Sequence, residues 1–320
     1  MNAAARLGLF GLGLVAVFGV AAAASGAIAP DGIATEWTAS QKDSAMQDHS
    51  TAATEAPAPS AHDGHGGPAR AGELGGLSLS AQGLTLDTVT APTAAGEPGE
   101  LSFRILDGHG EPVTEYEREH DKDLHLIVVR SDGAEFRHVH PEMDAAGVWS
   151  IDWSWREAGS YRVFADFTAS GAEAVTLSRS VQVSGAFAPV DPQPARHARV
   201  AGYDVHLRGD LAVGAASELT VEIAKNGAPV TALEPYLGAF GHLVALRQGD
   251  LGYAHVHPEG DAPRAGDTSG PDVSFAASVP TAGRYLLYFD FQVEGAVHSV
   301  PFVVDTTDAA QGDDSDDHQH

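Results

Sequence analysis

The chain has 320 residues, of which 43% are hydrophobic, enough for one large domain or two small ones. Its 18 Lys and Arg against 44 Asp and Glu give a net charge of −26, which repels phosphate backbones, so nucleic acid is not an expected partner. The absence of cysteine excludes disulfides and thiolate metal sites, so any metal must be held by His and carboxylates.

Residues 1–29 form the first predicted element, an apolar helix. A single basic residue, Arg6, precedes 23 uncharged and mostly apolar residues from Leu7 to Ala29. This pattern is typical of a membrane anchor or a signal peptide. Because no further Lys or Arg occurs until Lys42, the charge bias places the rest of the chain outside the cytoplasm. We expect a cell-membrane protein with one N-terminal anchor, or a secreted protein if the segment is cleaved.

Two segments have the composition of disordered chain. Residues 30–75 are rich in Ala, Ser, Pro, Gly and Asp and carry several histidines, which predicts a disordered linker. Residues 306–320 end in "DDSDDHQH" and predict an acidic disordered tail. Exposed histidines beside aspartates in both segments could capture divalent cations weakly.

An internal repeat lies between these segments. The stretch "PVTEYEREHDKDLHLIVVRSDGAEFRHVHPE" at 112–142 aligns without a gap on "PVTALEPYLGAFGHLVALRQGDLGYAHVHPE" at 229–259, with an offset of 117. Further on, "AGSYRVFADF" matches "AGRYLLYFDF" with an offset of 124, so the second copy has about seven extra residues in between. The repeat predicts two related domains, 76–187 and 195–305.

Both copies have the pattern of antiparallel β structure. Short runs of Val, Leu, Ile, Phe and Tyr alternate with Gly, Asp and Pro turns, and no helical period follows the apolar helix. About seven short strands in about 100 residues predict an all-β fold of two tandem sandwiches, immunoglobulin-like or cupredoxin-like. The phrase Ala-Gly-x-Tyr predicts a structural role for Tyr161 and Tyr285, at the corner where a late strand returns.

The most informative motif is a hairpin with three histidines. If Asp132-Gly133 forms the turn, facing residues have numbers that sum to 265, and His125 lies opposite His140. His138 is two positions earlier and shares their face. In the second copy the sum is 499 and the same geometry groups a second set of three: His242, His255 and His257.

Three imidazoles on one face suit a divalent transition metal. The alternation of Glu135 and Arg137 with Phe136 predicts that the histidines face the core side of the sandwich, beside Ile127 and Val129. Imidazole nitrogen binds copper, zinc or nickel, and we favour copper or zinc. A fourth ligand could come from Glu142 and Glu259 after the proline, or from residues farther away in sequence. The candidates there are Glu117 and Glu234 as ligands, with Asp166 and Asp290 as acceptors that orient an imidazole.

The phrases "LHLIVV", "HVHPEM" and "GSYRVFADF", with "EPYLGAFGHLVAL" and "HVHPEG" in the second copy, resemble a known family. It comprises exported two-repeat proteins of high-GC bacteria that contain HxHP and are described as secreted or heavy-metal-binding. The resemblance covers residues 83–304, together with the Gly/Ala-rich helix and the linker. It implies metal binding by the histidines of both hairpins and brings no mechanism.

Two functions remain open from the sequence. The first is binding of a divalent transition metal outside the cytoplasm, by one three-histidine site in each repeat. The second is a protein-interaction module in which paired sandwiches present loops such as "RAGDTSGPD" to a partner, and the histidines only pack. An enzymatic activity is not predicted, because the chain contains no GxSxG, phosphate-loop or HExxH motif.

Overall fold

The structure is a computed structural model that describes residues 74–264 and 266–308, with His255 described by its backbone alone. The apolar helix, most of the linker and most of the acidic tail lie outside the described residues. Within these ranges every regular element is a strand, so the all-β class, the β-sandwich architecture and the internal repeat are confirmed. No helix in the described part of the chain is long and apolar enough to cross a bilayer.

Repeat 1 contains ten strands in two antiparallel sheets. The strands are β1 (Ser80–Ala81), β2 (Leu84–Leu86), β3 (Pro98–Leu106), β4 (Tyr116–Glu117), β5 (His125–Arg130), β6 (Arg137–Val139), β7 (Glu142–Met143), β8 (Val148–Ser154), β9 (Gly159–Ala169) and β10 (Val175–Val183). One sheet has the order β1-β2-β3-β8-β7 and the other β10-β9-β5-β6, with β4 beside β9. Their facing sides enclose a core that includes Trp149, Trp153 and Trp155.

Repeat 2 contains nine strands that form one continuous sheet folded on itself. The strands are β11 (His197–Val200), β12 (Tyr203–Arg208), β13 (Ala216–Lys225), β14 (Ala228–Pro229), β15 (His242–Arg247), β16 (Tyr253–Pro258), β17 (Asp272–Ser278), β18 (Arg284–Val293) and β19 (Ala296–Asp305). The order is β11-β12-β13-β17-β16-β15-β18-β19, with β14 beside β13. Strand β16 joins the two halves by pairing with β15 on one side and β17 on the other.

The tyrosine corners have the structural role that the sequence predicts. The Tyr161 hydroxyl donates to the Glu157 carbonyl at 2.8 Å, and the Tyr285 hydroxyl donates to the Thr281 carbonyl at 3.1 Å. The matched glutamates are structural as well. Glu117 accepts the Gly171 N–H at the β9–β10 turn, and Glu234 accepts the corresponding N–H at the β18–β19 turn.

A third apolar cluster joins the two repeats. Strand β5 is buried on both faces: Leu126 and Val128 lie in the core of repeat 1, whereas Ile127 and Val129 pack on repeat 2. The contributions from repeat 2 come mainly from β15 and β18: Val244, Leu246, Leu251, Leu286, Tyr288 and Val303. Phe136 stacks on Tyr288 with ring centroids 3.9 Å apart, and the Tyr288 hydroxyl donates to the Gly133 carbonyl.

This cluster corrects the predicted position of the histidines. Ile127 and Val129 face the other repeat rather than the core of their own sandwich, and the three histidines of the first hairpin share that side. The reason is that a continuously apolar strand is buried on both faces, and its sequence does not say which face meets which neighbour.

The shared cluster predicts that the repeats unfold together. Leu246→Ala removes a fully buried side chain of repeat 2 and should cost about 2–4 kcal/mol of unfolding free energy. Of the four tryptophans, Trp149, Trp153 and Trp155 are buried in repeat 1, Trp37 lies outside the described residues and repeat 2 has none. The fluorescence transition of the buried tryptophans therefore follows repeat 1, while far-UV circular dichroism follows both repeats. In urea, the substitution should shift both transitions equally. The exposed Leu77→Ala is the control, and an unshifted fluorescence transition in Leu246→Ala would contradict cooperative unfolding.

Candidate metal centre

The centre begins with a histidine at the start of each central strand. His125 is 7% exposed, and its Nε2 lies 3.2 Å from the carbonyl oxygen of Glu119. In repeat 2, His242 repeats this contact, with Nε2 2.8 Å from the Tyr236 carbonyl. Because a carbonyl oxygen only accepts, both rings carry their hydrogen on Nε2 when neutral. The Nδ1 lone pair of each ring is therefore left for another partner.

His138 and His140 come from the edge strand that pairs with β5. The pairs Leu126–Val139 and Ile127–His138 have the predicted sum of 265, so the predicted register is confirmed. His140 is the first residue after β6 and stands before Pro141, which has no N–H to continue a ladder. This register places the rings of His138 and His140 beside that of His125.

An aspartate of repeat 2 fixes the orientation of His138. Asp290 Oδ2, on β18, lies 2.9 Å from His138 Nδ1, and the two side chains are 4% and 5% exposed. The carboxylate accepts the Nδ1 hydrogen, so His138 Nε2 bears the lone pair when the ring is neutral. Asp166, the corresponding residue of repeat 1, instead accepts the Thr176 hydroxyl at 2.6 Å. The centre is therefore built from both repeats.

Three nitrogen atoms converge. His125 Nδ1 lies 3.0 Å from His138 Nε2 and 3.2 Å from His140 Nε2. Nitrogens bound to one ion at 2.0–2.1 Å are about 2.9 Å apart at right angles and about 3.3 Å apart at tetrahedral angles. Among the described side chains, these three histidines form the only group of three or more whose ligand atoms lie within 4.8 Å of one another. We call them the triad.

When all three rings are neutral, the triad cannot satisfy all of its inner nitrogens. Glu119 and Asp290 then take up the hydrogens of His125 and His138, and their remaining lone pairs face each other at 3.0 Å. A hydrogen on His140 Nε2 can be donated to only one of them. A bound cation would satisfy all three nitrogens, whereas a proton satisfies one pair.

Burial keeps two of the triad rings neutral. Burial, together with the smaller effect of the neighbouring imidazoles, lowers the pKa of His125 to about 2 and that of His140 to about 3. Burial also lowers the pKa of the nearby His242 to about 4. Neutral imidazole is the form that binds metals, so these rings are available as ligands at neutral pH.

The second hairpin is arranged differently. The predicted sum of 499 holds for Ala245–Ala254 and Leu246–Tyr253, where the pairing of β15 with β16 ends. From His255 onward the strand pairs with β17 instead, and His257 is exposed opposite Ala276. The ring of His242 lies 6.2 Å from that of His138 in the first hairpin.

Neither predicted proline-adjacent glutamate belongs to the triad. Glu142 is exposed on β7, opposite Ser150, and Glu259 is exposed with its N–H donating to the Ser274 carbonyl.

His120 lies near the triad, although nothing in the sequence predicted it there. Its ring lies 5.2 Å from that of His242 and 6.1 Å from that of His125. The repeat alignment gives no signal for it, because Leu237 occupies its position in the second copy.

The fold and the centre define a tandem β-sandwich protein with a histidine cluster at the junction of its repeats. The chain belongs to the family described as "Domain of unknown function (DUF8832)", whose model matches residues 80–185 and 198–308. A search of curated proteins finds no match.

Solved structures show only distant similarity. A DUF4426 family protein from Pseudomonas aeruginosa PAO1 is 11% identical, with 35% of this chain and 94% of that one covered and a TM-score of 0.25. InvD of Yersinia pseudotuberculosis is 11% identical, with 72% and 59% covered and a TM-score of 0.22. A two-domain fibronectin type-III segment of chicken tenascin is 12% identical, with 69% and 97% covered and a TM-score of 0.21. These scores carry no functional argument.

The lowered pKa values predict a pH-dependent stability of the metal-free protein. The unfolded chain binds protons on histidine below about pH 6.5, while folded His140 binds one only near pH 3, so stability falls on acidification. In urea with a chelator, the wild type should lose about 1 kcal/mol more than His140→Gln between pH 7.5 and 5.5. His109→Gln, at an exposed turn, should match the wild type. Equal losses of unfolding free energy in all three proteins would contradict the prediction that His140 stays neutral in the folded protein.

Proposed function

We propose that the protein binds one divalent transition metal ion, Cu²⁺ or Zn²⁺ before Ni²⁺, through His125, His138 and His140. The convergence of three of their ring nitrogens is the observation that carries this proposal. The other nitrogens of His125 and His138 are already bonded to Glu119 and Asp290, as in protein metal sites where the outer nitrogen is anchored.

The proposed role is metal sequestration or transfer outside the cytoplasm. The apolar run of residues 1–29 after Arg6 supports an anchor or a signal peptide, and the net charge of −26 draws cations toward the protein. The proposal includes two further expectations. The sandwiches are immunoglobulin-like or cupredoxin-like, and the chain is related to the exported HxHP-containing proteins that its sequence resembles. Two repeats that share one centre imply one tight ion per chain.

Metal stoichiometry tests the proposal. Calorimetric titration of the full chain with Cu²⁺ and with Zn²⁺ should give one tight equivalent in the wild type and none in His138→Ala, because two histidines do not complete the site. His109→Gln controls for weak binding to exposed histidines and should retain the tight equivalent. An unchanged stoichiometry in His138→Ala would contradict the proposal and leave the triad with a packing role alone.

Asp290→Asn tests the contribution of the second repeat. The substitution keeps an acceptor for the His138 N–H but removes the negative charge that makes this ring a better ligand. The affinity for Zn²⁺ should fall about 10–100-fold with the stoichiometry unchanged. Asp166→Asn, the corresponding change in repeat 1, is the matched control, because that carboxylate is bonded to Thr176. Equal affinities in Asp290→Asn and the wild type would refute a role for Asp290 in the site.

A further inference from the structure

We propose that His120 and His242 form an outer two-histidine station through which a divalent metal ion reaches the triad. The inference rests on the proposed function and adds a route and a direction to it. His120 is exposed at a loop, His242 is 8% exposed, and their rings stand 5.2 Å apart at 83°. Two imidazoles on one ion at tetrahedral angles have centroids about 5.2 Å apart.

Both rings of the station lie beside the same short loop. His242 Nε2 donates to the carbonyl of Tyr236, and the ring of His120 lies near the backbone of the next residue, Leu237. The bond to Tyr236 orients the His242 ring and leaves its Nδ1 for a ligand. It is the same pattern that anchors His125 to Glu119 in the triad.

The station adjoins the triad. The ring of His120 lies 6.1 Å from that of His125, and the ring of His242 lies 6.2 Å from that of His138. An ion could therefore exchange one imidazole for the next without returning to bulk water. Of these five histidines, His120 is exposed, His138 and His140 are half-buried, and His125 and His242 are buried, so the proposed route runs from the surface through His120 and His242 to the triad.

An acidic groove borders the outer end of this route. It encloses about 570 Å³, and Asp121, Glu234 and Asp267 are among its lining residues, which include no Lys or Arg. His120 adjoins the groove, because the next residue, Asp121, lines it, and a Cβ built on Gly238 in its wall would lie 3.8 Å from the His120 Cα. Clefts lined by one sign of charge raise the local concentration of counter-ions and their association rates. The groove would thus concentrate cations beside the station.

A station on the path changes rates rather than equilibria. Replacing His120 should slow loading of the triad, and because the same path serves in both directions, it should slow release by the same factor. The dissociation constant of the triad would then stay within about twofold of the wild-type value. A ligand that binds the metal directly in the final complex would instead change the dissociation constant.

The test is stopped-flow loading of the full chain with Cu²⁺, in which quenching of tryptophan fluorescence is the signal. Release is measured by adding a chelator to the loaded protein. His120→Asn suits the backbone, because His120 has φ 48° and Asn tolerates this conformation. We expect both rate constants to fall at least about threefold. His109→Gln is the matched control with unchanged rates, and His138→Ala gives the quenching that does not arise from the triad.

The outcomes separate this inference from the proposed function. Slower loading and release in His120→Asn at constant affinity supports the station. Unchanged rates with a loaded triad overturn the station alone. A weaker affinity with unchanged loading also overturns it, since His120 would then be a direct ligand of the triad ion. If the wild type and His138→Ala show the same quenching, the signal does not arise from the triad, and the proposed function and the station are both overturned.

Discussion

Strand β5 is buried on both faces, and the position of the triad follows from this. Leu126 and Val128 fill the core of repeat 1, so the alternate residues Ile127 and Val129 need a second apolar neighbour. The other repeat supplies it, because β15 and β18 present their own alternate apolar residues on the corresponding face. His125 begins β5 on the side of Ile127, so it lies at the end of the junction between the repeats, where polar side chains from both can meet.

The junction also sets the chemistry of the histidines. A buried carboxylate such as Asp290 is costly unless it is paired, and the N–H of His138 pairs it across the repeats. This bond holds a hydrogen on Nδ1 and turns Nε2 toward His125. Apolar packing therefore brings the rings together, and the hydrogen bonds at their outer nitrogens decide what they can bind.

The sequence predicted what depends on local register and on the repeat. The sum of 265 placed His138 and His140 on the side of His125, and the corner tyrosines were assigned correctly. It could not predict the pairing of His138 with Asp290, because residues 152 positions apart are related only by how the repeats pack. His120 escaped for a similar reason. Its neighbour in space is His242 of the other copy, and the alignment matches it to a leucine.

The duplicated HVHPE illustrates why identical motifs need not give identical sites. After the proline both copies behave alike: Glu142 faces Ser150, and the N–H of Glu259 bonds to Ser274, the corresponding residue. Before the proline they differ, because His138 pairs with β5 whereas His255 already pairs with β17. The switch between sheets therefore comes earlier in repeat 2, and His242 loses the register partner that His125 keeps.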